Sequence, residues 1–340
     1  MHRSIISVVC AFALVLLLGA PRVVVGRPAS PARAATTSGS VEIMLALDRS
    51  GSMTGTPIAD LKTAARGFVE AFADVQDVDA IGLVSFATSA RLDFALGKGF
   101  LSPLEAAIAG LVAVGATNAE DAIVRTAGSG GFSDQSGVPP GQRAQQFLVF
   151  FSDGRPTALR GQFQQRGTLY DGVTCVTGLG MPGDGGTLYR DLGRPEQESW
   201  LGIDPTVTGD GISTATCGEG ARNTTRWFMM DVNPVPGYAS DATCIPAVNL
   251  HDYVIARACA LTLASAQALK DRGIVIYTIG VGTSVDQAFL QELADNPSTA
   301  YYAPTSADLS AVFAAIAEQT RALTTPAHRL TLGGLKVRYR

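Results

Sequence analysis

A chain of 340 residues can hold one large domain or two ordinary ones, and 46% hydrophobic content supplies a packed core and excludes global disorder. A net charge of −4 makes the chain a poor candidate for binding nucleic acid or anionic lipid. Three scattered histidines, His2, His251 and His328, leave little material for a histidine metal centre or a catalytic triad.

The chain begins as a targeting segment. Arg3 precedes an uncharged run from Ser4 to Pro21, and Ala32-Arg33-Ala34 offers a small-x-small cleavage pattern, with Val24-Val25-Gly26 as the poorer alternative. Residues 1–34 therefore read as a secretory signal or, if uncleaved, an N-terminal anchor. That segment carries four arginines and no acid, so its removal lowers 26 basic residues to 22 against 30 acidic ones, a net −8. Cys10 leaves with it. The remaining cysteines, Cys175, Cys217, Cys244 and Cys259, are even in number, lack CxxC spacing, and read as two disulfides in an oxidising compartment, with zinc as the alternative. Residues 35–40 form a linker.

Val41 to Leu47 is an apolar run broken only by Glu42, a buried strand. The string Asp48-Arg49-Ser50-Gly51-Ser52 follows it, with Arg49 expected to face outward. A helix runs from about Pro57 to Ala73 with Ile58, Leu61, Phe68, Val69 and Phe72 on its apolar side. Val78–Phe86 is a second strand and Ala90–Ala95 a short edge strand, antiparallel to it. Ser102 is expected to cap a helix through Ala109, and Asn118 one running to about Ala127. Gly128–Gly141 is a loop. The Gln146–Ser152 strand is apolar throughout, as expected when both faces of a parallel sheet are covered, and ends in Asp153-Gly154.

From about 155 to 250 the chain is rich in Gly, Thr, Asp and Pro without sustained period, and reads as a disulfide-containing insertion of low regularity. It is either a platform that sets partner choice or a surface excursion. Order resumes with a helix over Tyr253–Arg272, closed by Gly273, a strand over Ile274–Ile279, a helix over Val285–Ala294, a short strand at Tyr301-Tyr302, and a final helix from Ser306, its cap, to Leu323. Residues 324–340 are a tail or one more strand. Strands alternating with helices imply an α/β fold, a doubly wound, mostly parallel sheet flanked by helices.

Three separated loops at strand ends offer hard oxygen donors: Asp48, Ser50 and Ser52; then Thr117; then Asp153. With DxSxS at 48–52, Thr117 in GATN and Asp153 in FFSDGRPT, the chain resembles the von Willebrand factor A domain family over about 41–323, the insertion left out. The resemblance implies a metal-ion-dependent adhesion site. Ser50, Ser52 and Thr117 would be inner ligands, and Asp48 and Asp153 would neutralise charge from a second shell. Mg²⁺ is the implied ion, with Mn²⁺ or Ca²⁺ as alternatives. It also implies a secreted or surface-tethered module that captures a protein ligand through an exposed carboxylate. No nucleic-acid partner is expected, and membrane contact only through the N-terminus. A second reading is a structural component of a pilus or secretion assembly, which an uncleaved N-terminus would favour. No GxSxG elbow, no HExxH and no carboxylate cluster suited to two-metal hydrolysis occur, so no enzyme activity is expected. Gly280 and Gly282 read as turn residues, and Asn223-Thr224-Thr225 as a sequon by pattern alone.

Overall fold

The computed structural model describes residues 40–165, 168–175, 187–190, 227–230, 250–283 and 285–324. The N-terminal segment, Cys217, Cys244 and the expected strand at 329–340 lie outside them. Among the described residues no helix is long and apolar enough to cross a membrane.

In chain order the elements are β1 (Val41–Asp48), α1 (Thr56–Glu70), β2 (Ala80–Phe86), β3 (Ala90–Gly97), α2 (Leu101–Ala109), α3 (Ala119–Ala127) and β4 (Gln145–Ser152). Four further strands follow: β5 (Ala158–Gln165), β6 (Thr168–Cys175), β7 (Thr187–Arg190) and β8 (Trp227–Met230). The chain then forms α4 (Leu250–Asp271), β9 (Val275–Val281), α5 (Gln287–Leu293), β10 (Ala300–Ala303) and α6 (Leu309–Thr324). The main sheet has the order β10-β9-β4-β1-β2-β3, parallel except for β3, which runs antiparallel to β2. The expected doubly wound sheet with an antiparallel edge is present.

The uninterrupted apolar strands are explained by two cores, one on each face. Ile43, Leu45 and Leu47 of β1 join Phe147, Val149 and Phe151 of β4 under α1, α2 and α6, where Phe68, Ile108 and Phe313 are fully buried. The intervening residues Met44 and Ala46, with Leu148 and Phe150, meet Ile123, Ala266 and Leu293 from α3, α4 and α5. Alternate side chains of one strand thus enter opposite cores, which is why period-2 polarity is absent.

Several local expectations change. Ser102 does not cap α2; the helix begins at Leu101, with Phe100 before it and no side-chain cap, and Ser102 is its second residue. Ser306 opens a 3-10 turn instead of capping the last helix. The capping box belongs to Thr305 and Asp308, and Ser306 Oγ donates to Asp60 Oδ2 of α1 at 2.6 Å. Asn118 does cap α3, its side chain accepting from the Asp121 N–H at 3.2 Å.

The insertion carries more order than its composition suggested. Strands β5 to β8 form a four-stranded antiparallel sheet of order β7-β6-β5-β8, with β5 and β6 paired from Ala158↔Cys175 to Gln165↔Thr168. The β5–β6 pair mixes Gln, Asp and Gly, residues with weak strand preference, with apolar residues and Thr, and Gly161 faces Gly172 across it. A backbone ladder defines this sheet, so side-chain periodicity does not announce it. Its root is buried: Ala158, Leu159 and Val173 have at most 1% exposure, and β5 packs on α3 and α4.

Cys259 of α4 is a free thiol, so it does not tie the insertion to the body as one half of a disulfide. Its helix faces Leu290 and Phe289 of the second core, and Cys259 packs against that apolar cluster as a small hydrophobe. Burial pushes the thiol up to about 12. Because the thiolate is the reactive form, Cys259 should resist iodoacetamide at pH 8 in the native state and be alkylated only after denaturation without reductant. Peptide mass mapping of the two samples checks this; native labelling, or a disulfide-linked Cys259 peptide, would contradict it.

Candidate metal centre

In the main sheet β1 is central, with β2 on one side and β4 on the other. The chain therefore reverses its direction of progress across the sheet between β1 and β4. Crevices at such reversals, at the carboxyl ends of the strands, are the binding places of open α/β sheets. Here β1 ends in Asp48 and β4 in Ser152, both oxygen-bearing residues.

Asp48, the last residue of β1, has no exposure to solvent. Its Oδ1 accepts from the Ser50 N–H at 2.8 Å, which bends the chain out of the strand, and its Oδ2 accepts from Ser152 Oγ at 2.7 Å, which joins the ends of β1 and β4. Ser50 Oγ and Ser52 Oγ lie 3.0 Å apart, and Ser52 Oγ donates to Asp153 Oδ1 at 2.9 Å. A continuous line of oxygens runs from buried Ser50 to exposed Ser52 and half-buried Asp153. The opening toward solvent is on the Ser52 side.

The second loop is brought in by backbone bonds. Gly51 N–H donates to Gly115 O at 2.8 Å, Val114 N–H to Arg49 O at 2.8 Å, and Asn118 N–H to Ala87 O at 2.8 Å. Gly115 has φ +78°, and a Cβ there would stand 2.5 Å from Thr88 Oγ1, so this crossing requires glycine. Thr117, 5% exposed, is held on both backbone groups: its N–H donates to Thr157 Oγ1 at 3.0 Å, and its carbonyl accepts from the N–H groups of Thr157 and Ala158 at 2.9 and 3.1 Å. Asp48, Ser50, Ser52 and Asp153 form one hydrogen-bonded chain, and Thr117 is joined to it through the Gly51–Gly115 contact.

Arg49 corrects the expectation that it faces outward. It is 2% exposed, its Nε donates to Ser85 Oγ at 3.1 Å and one terminal nitrogen to Val112 O at 3.4 Å. The guanidinium, bonded to Ser85 of β2 and to Val112 in the second loop, braces the two from behind. Motif spacing marks Arg49 as variable, and its partners, 36 and 63 residues further along the chain, lie beyond what the motif encodes.

Burial, then repulsion from Asp153, raises the Asp48 carboxyl to about 7, against the hydrogen bonds from Ser152 and Ser50. Burial also raises Asp153, against the Ser52 hydroxyl. Nearby on α3, burial and then Asp121 raise Glu120 to about 7, opposed by Arg160. The donor set of two carboxylates and three hydroxyl residues suits a hard divalent cation, whose charge would favour both ionised acids. Among the described residues no group of three or more His, Cys, Asp or Glu side chains gathers, so the donors fit neither a soft-metal site nor a carboxylate-rich two-metal site.

A search of curated protein sequences returns no match. Among solved structures, the vWF domain of the type V pili tip protein Mfa5 from Porphyromonas gingivalis superposes with TM-score 0.52 at 16% identity, covering 86% of this chain and 98% of that one. The open-conformation pilus adhesin SpaC from Lactobacillus rhamnosus GG gives TM-score 0.50 at 16% identity, covering 83% of this chain and 30% of that one. Proximal thread matrix protein 1 from the mussel byssus gives TM-score 0.45 at 14% identity over 82% of this chain, which spans 46% of that protein's length. Residues 42–169 match the family model of the von Willebrand factor type A domain.

Proposed function

We propose that this protein is an exported, non-enzymatic binding module that captures an acidic group of a protein ligand through a divalent cation held among Asp48, Ser50, Ser52, Thr117 and Asp153. The observation that carries the reading is a fully buried Asp48 facing a second raised carboxylate, with serine hydroxyls between them. Mg²⁺ is the proposed ion, with Mn²⁺ and Ca²⁺ as alternatives of the same hard-oxygen class. When bound, the ion supplies an electrophilic coordination position for a ligand carboxylate. The chain's own residues do the rest. Ser152 and Ser50 orient Asp48, Arg49 and Gly115 set the distance between the first two loops, and exposed Ser52 marks the side from which a ligand approaches.

Mfa5 and SpaC, a pilus tip protein and a pilus adhesin, share the fold, which supports an extracellular or surface setting for the module. The same two neighbours support the second reading, a subunit of a pilus or secretion assembly that uses this domain for subunit contacts.

Mg²⁺ at about 100 times its Kd should stabilise the wild-type protein by about 2–3 kcal/mol, reversed by EDTA, because only the folded chain assembles the site. The Asp48→Asn protein should show no such shift in thermal melting. Capture of partners from surface extract should be lost both in EDTA and in Asp48→Asn. A wild-type melting curve indifferent to Mg²⁺, Mn²⁺ and Ca²⁺, or capture that persists in EDTA, refutes the reading.

The raised carboxyls also set a pH dependence for the metal-free protein. Folded Asp48 and Glu120 hold protons up to about 7, while the unfolded chain releases them near 3.8 and 4.5. The folded state therefore binds more protons across that window. Their contribution is fully present below the unfolded values and is lost as pH rises through 7. In EDTA, melting temperature should fall between pH 5 and pH 8, and Asp48→Asn should flatten part of that slope. A melting temperature that rises over the same interval in EDTA contradicts the assignment.

A further inference from the structure

The second sheet and the metal loop share a seam. Thr157 is the residue immediately before β5, and it holds Thr117 by two bonds, its hydroxyl accepting from the Thr117 N–H and its own N–H donating to the Thr117 carbonyl, to which the Ala158 N–H also donates. Three residues further along the strand, Arg160 of β5 pairs with Asp121 of α3, Nε to Oδ1 at 3.4 Å and a terminal nitrogen to Oδ2 at 3.5 Å. Asp121 is anchored in turn, its Oδ2 accepting from the Ala90 N–H at 2.8 Å and its own N–H donating to Asn118 Oδ1. The 157–160 segment is thus stitched to 117–121 at both ends of the turn that carries Thr117. Between the two stitches Ala158 and Leu159 are buried.

Nothing about a metal site requires this. Thr117 could be fixed by its own loop and the Asn118 cap. Instead both of its backbone groups are spent on the segment that leads into the insertion, so the position of the Thr117 side chain depends on where β5 sits.

Resting on the metal-site reading above, we propose that Thr157 is the positioning residue for Thr117, and that through it the β5–β6 hairpin and the ion site form one coupled unit. Filling the site tightens the hairpin, and loosening the hairpin weakens the site. The insertion is thereby an ion-responsive part of the ligand-binding end. Thermodynamic coupling of this kind is reciprocal, so both directions are measurable.

The test uses the full chain and Mn²⁺ alone as probe, with calorimetric titration and amide hydrogen exchange. Thr157→Val keeps the shape and removes the acceptor for the Thr117 N–H; Thr157→Ser restores it. Thr157→Val should weaken Mn²⁺ binding by about 10- to 100-fold, the range for partners that orient metal ligands. Thr157→Ser should stay within about threefold of wild type, which separates the hydroxyl contact from a general loss of fold. In the wild type, Mn²⁺ should slow amide exchange across Ala158–Cys175, and in Thr157→Val that slowing should disappear. Wild-type affinity in Thr157→Val, or hairpin exchange in the wild type that ignores saturating Mn²⁺, overturns the coupling while leaving the metal site standing. A wild type that binds no Mn²⁺ removes the metal reading itself, and the coupling with it.

Discussion

A carboxylate without solvent is costly unless its negative charge is met, and Asp48 is such a group at the end of the central strand. Two hydrogen bonds meet part of the cost, one from the Ser50 amide and one from the Ser152 hydroxyl. Each also has a structural consequence. The first turns the chain sharply out of β1, which puts Ser50 and Ser52 side by side. The second locks the ends of β1 and β4 together at the reversal of the sheet. Asp153, one residue past Ser152, is thereby delivered beside the same cluster and adds a second negative charge. Hydrogen bonds alone leave both acids raised, and the remaining imbalance is what a divalent cation is suited to remove.

The arrangement depends on rigidity behind it. The parallel sheet is buried on both faces, with Phe86 and Phe150 stacked at 5.2 Å just beneath the loops. On this base the Arg49 guanidinium reaches Ser85 on β2 and Val112 in the second loop, and Val114 and Gly115 return backbone bonds to Arg49 and Gly51. A side chain at the variable position of the motif is thus used as a strut, which leaves the outer face of the loop to the serines.

Much of this was legible before any coordinates. The strands of the main sheet announce themselves because each carries apolar residues for two cores, and Asn118 announces α3 because an amide at that position can cap the helix. The oxygen donors were legible as a set because their order along the chain, each at a strand end, is itself a spatial statement in a doubly wound sheet. Arg49 was misread because its surroundings belong to β2 and to the loop at 112–115, which spacing around 48–52 does not encode. Ser102 and Ser306 were misread because a hydroxyl near a helix start can cap, enter the first turn or bond elsewhere, and only the backbone path decides. The second sheet was illegible for a different reason. Its β5–β6 ladder is made by main-chain groups that every residue has, and Gly161 opposite Gly172 contributes no pattern at all.

The main sheet and the donor loops are tightly constrained: β1 must feed two cores, Asp48 must be met on both oxygens, and Gly115 tolerates no side chain. The second sheet is described by its backbone pairing instead. What it must keep is its root, where Ala158, Leu159 and Val173 are buried and where Thr157 and Arg160 grip the Thr117–Asp121 turn.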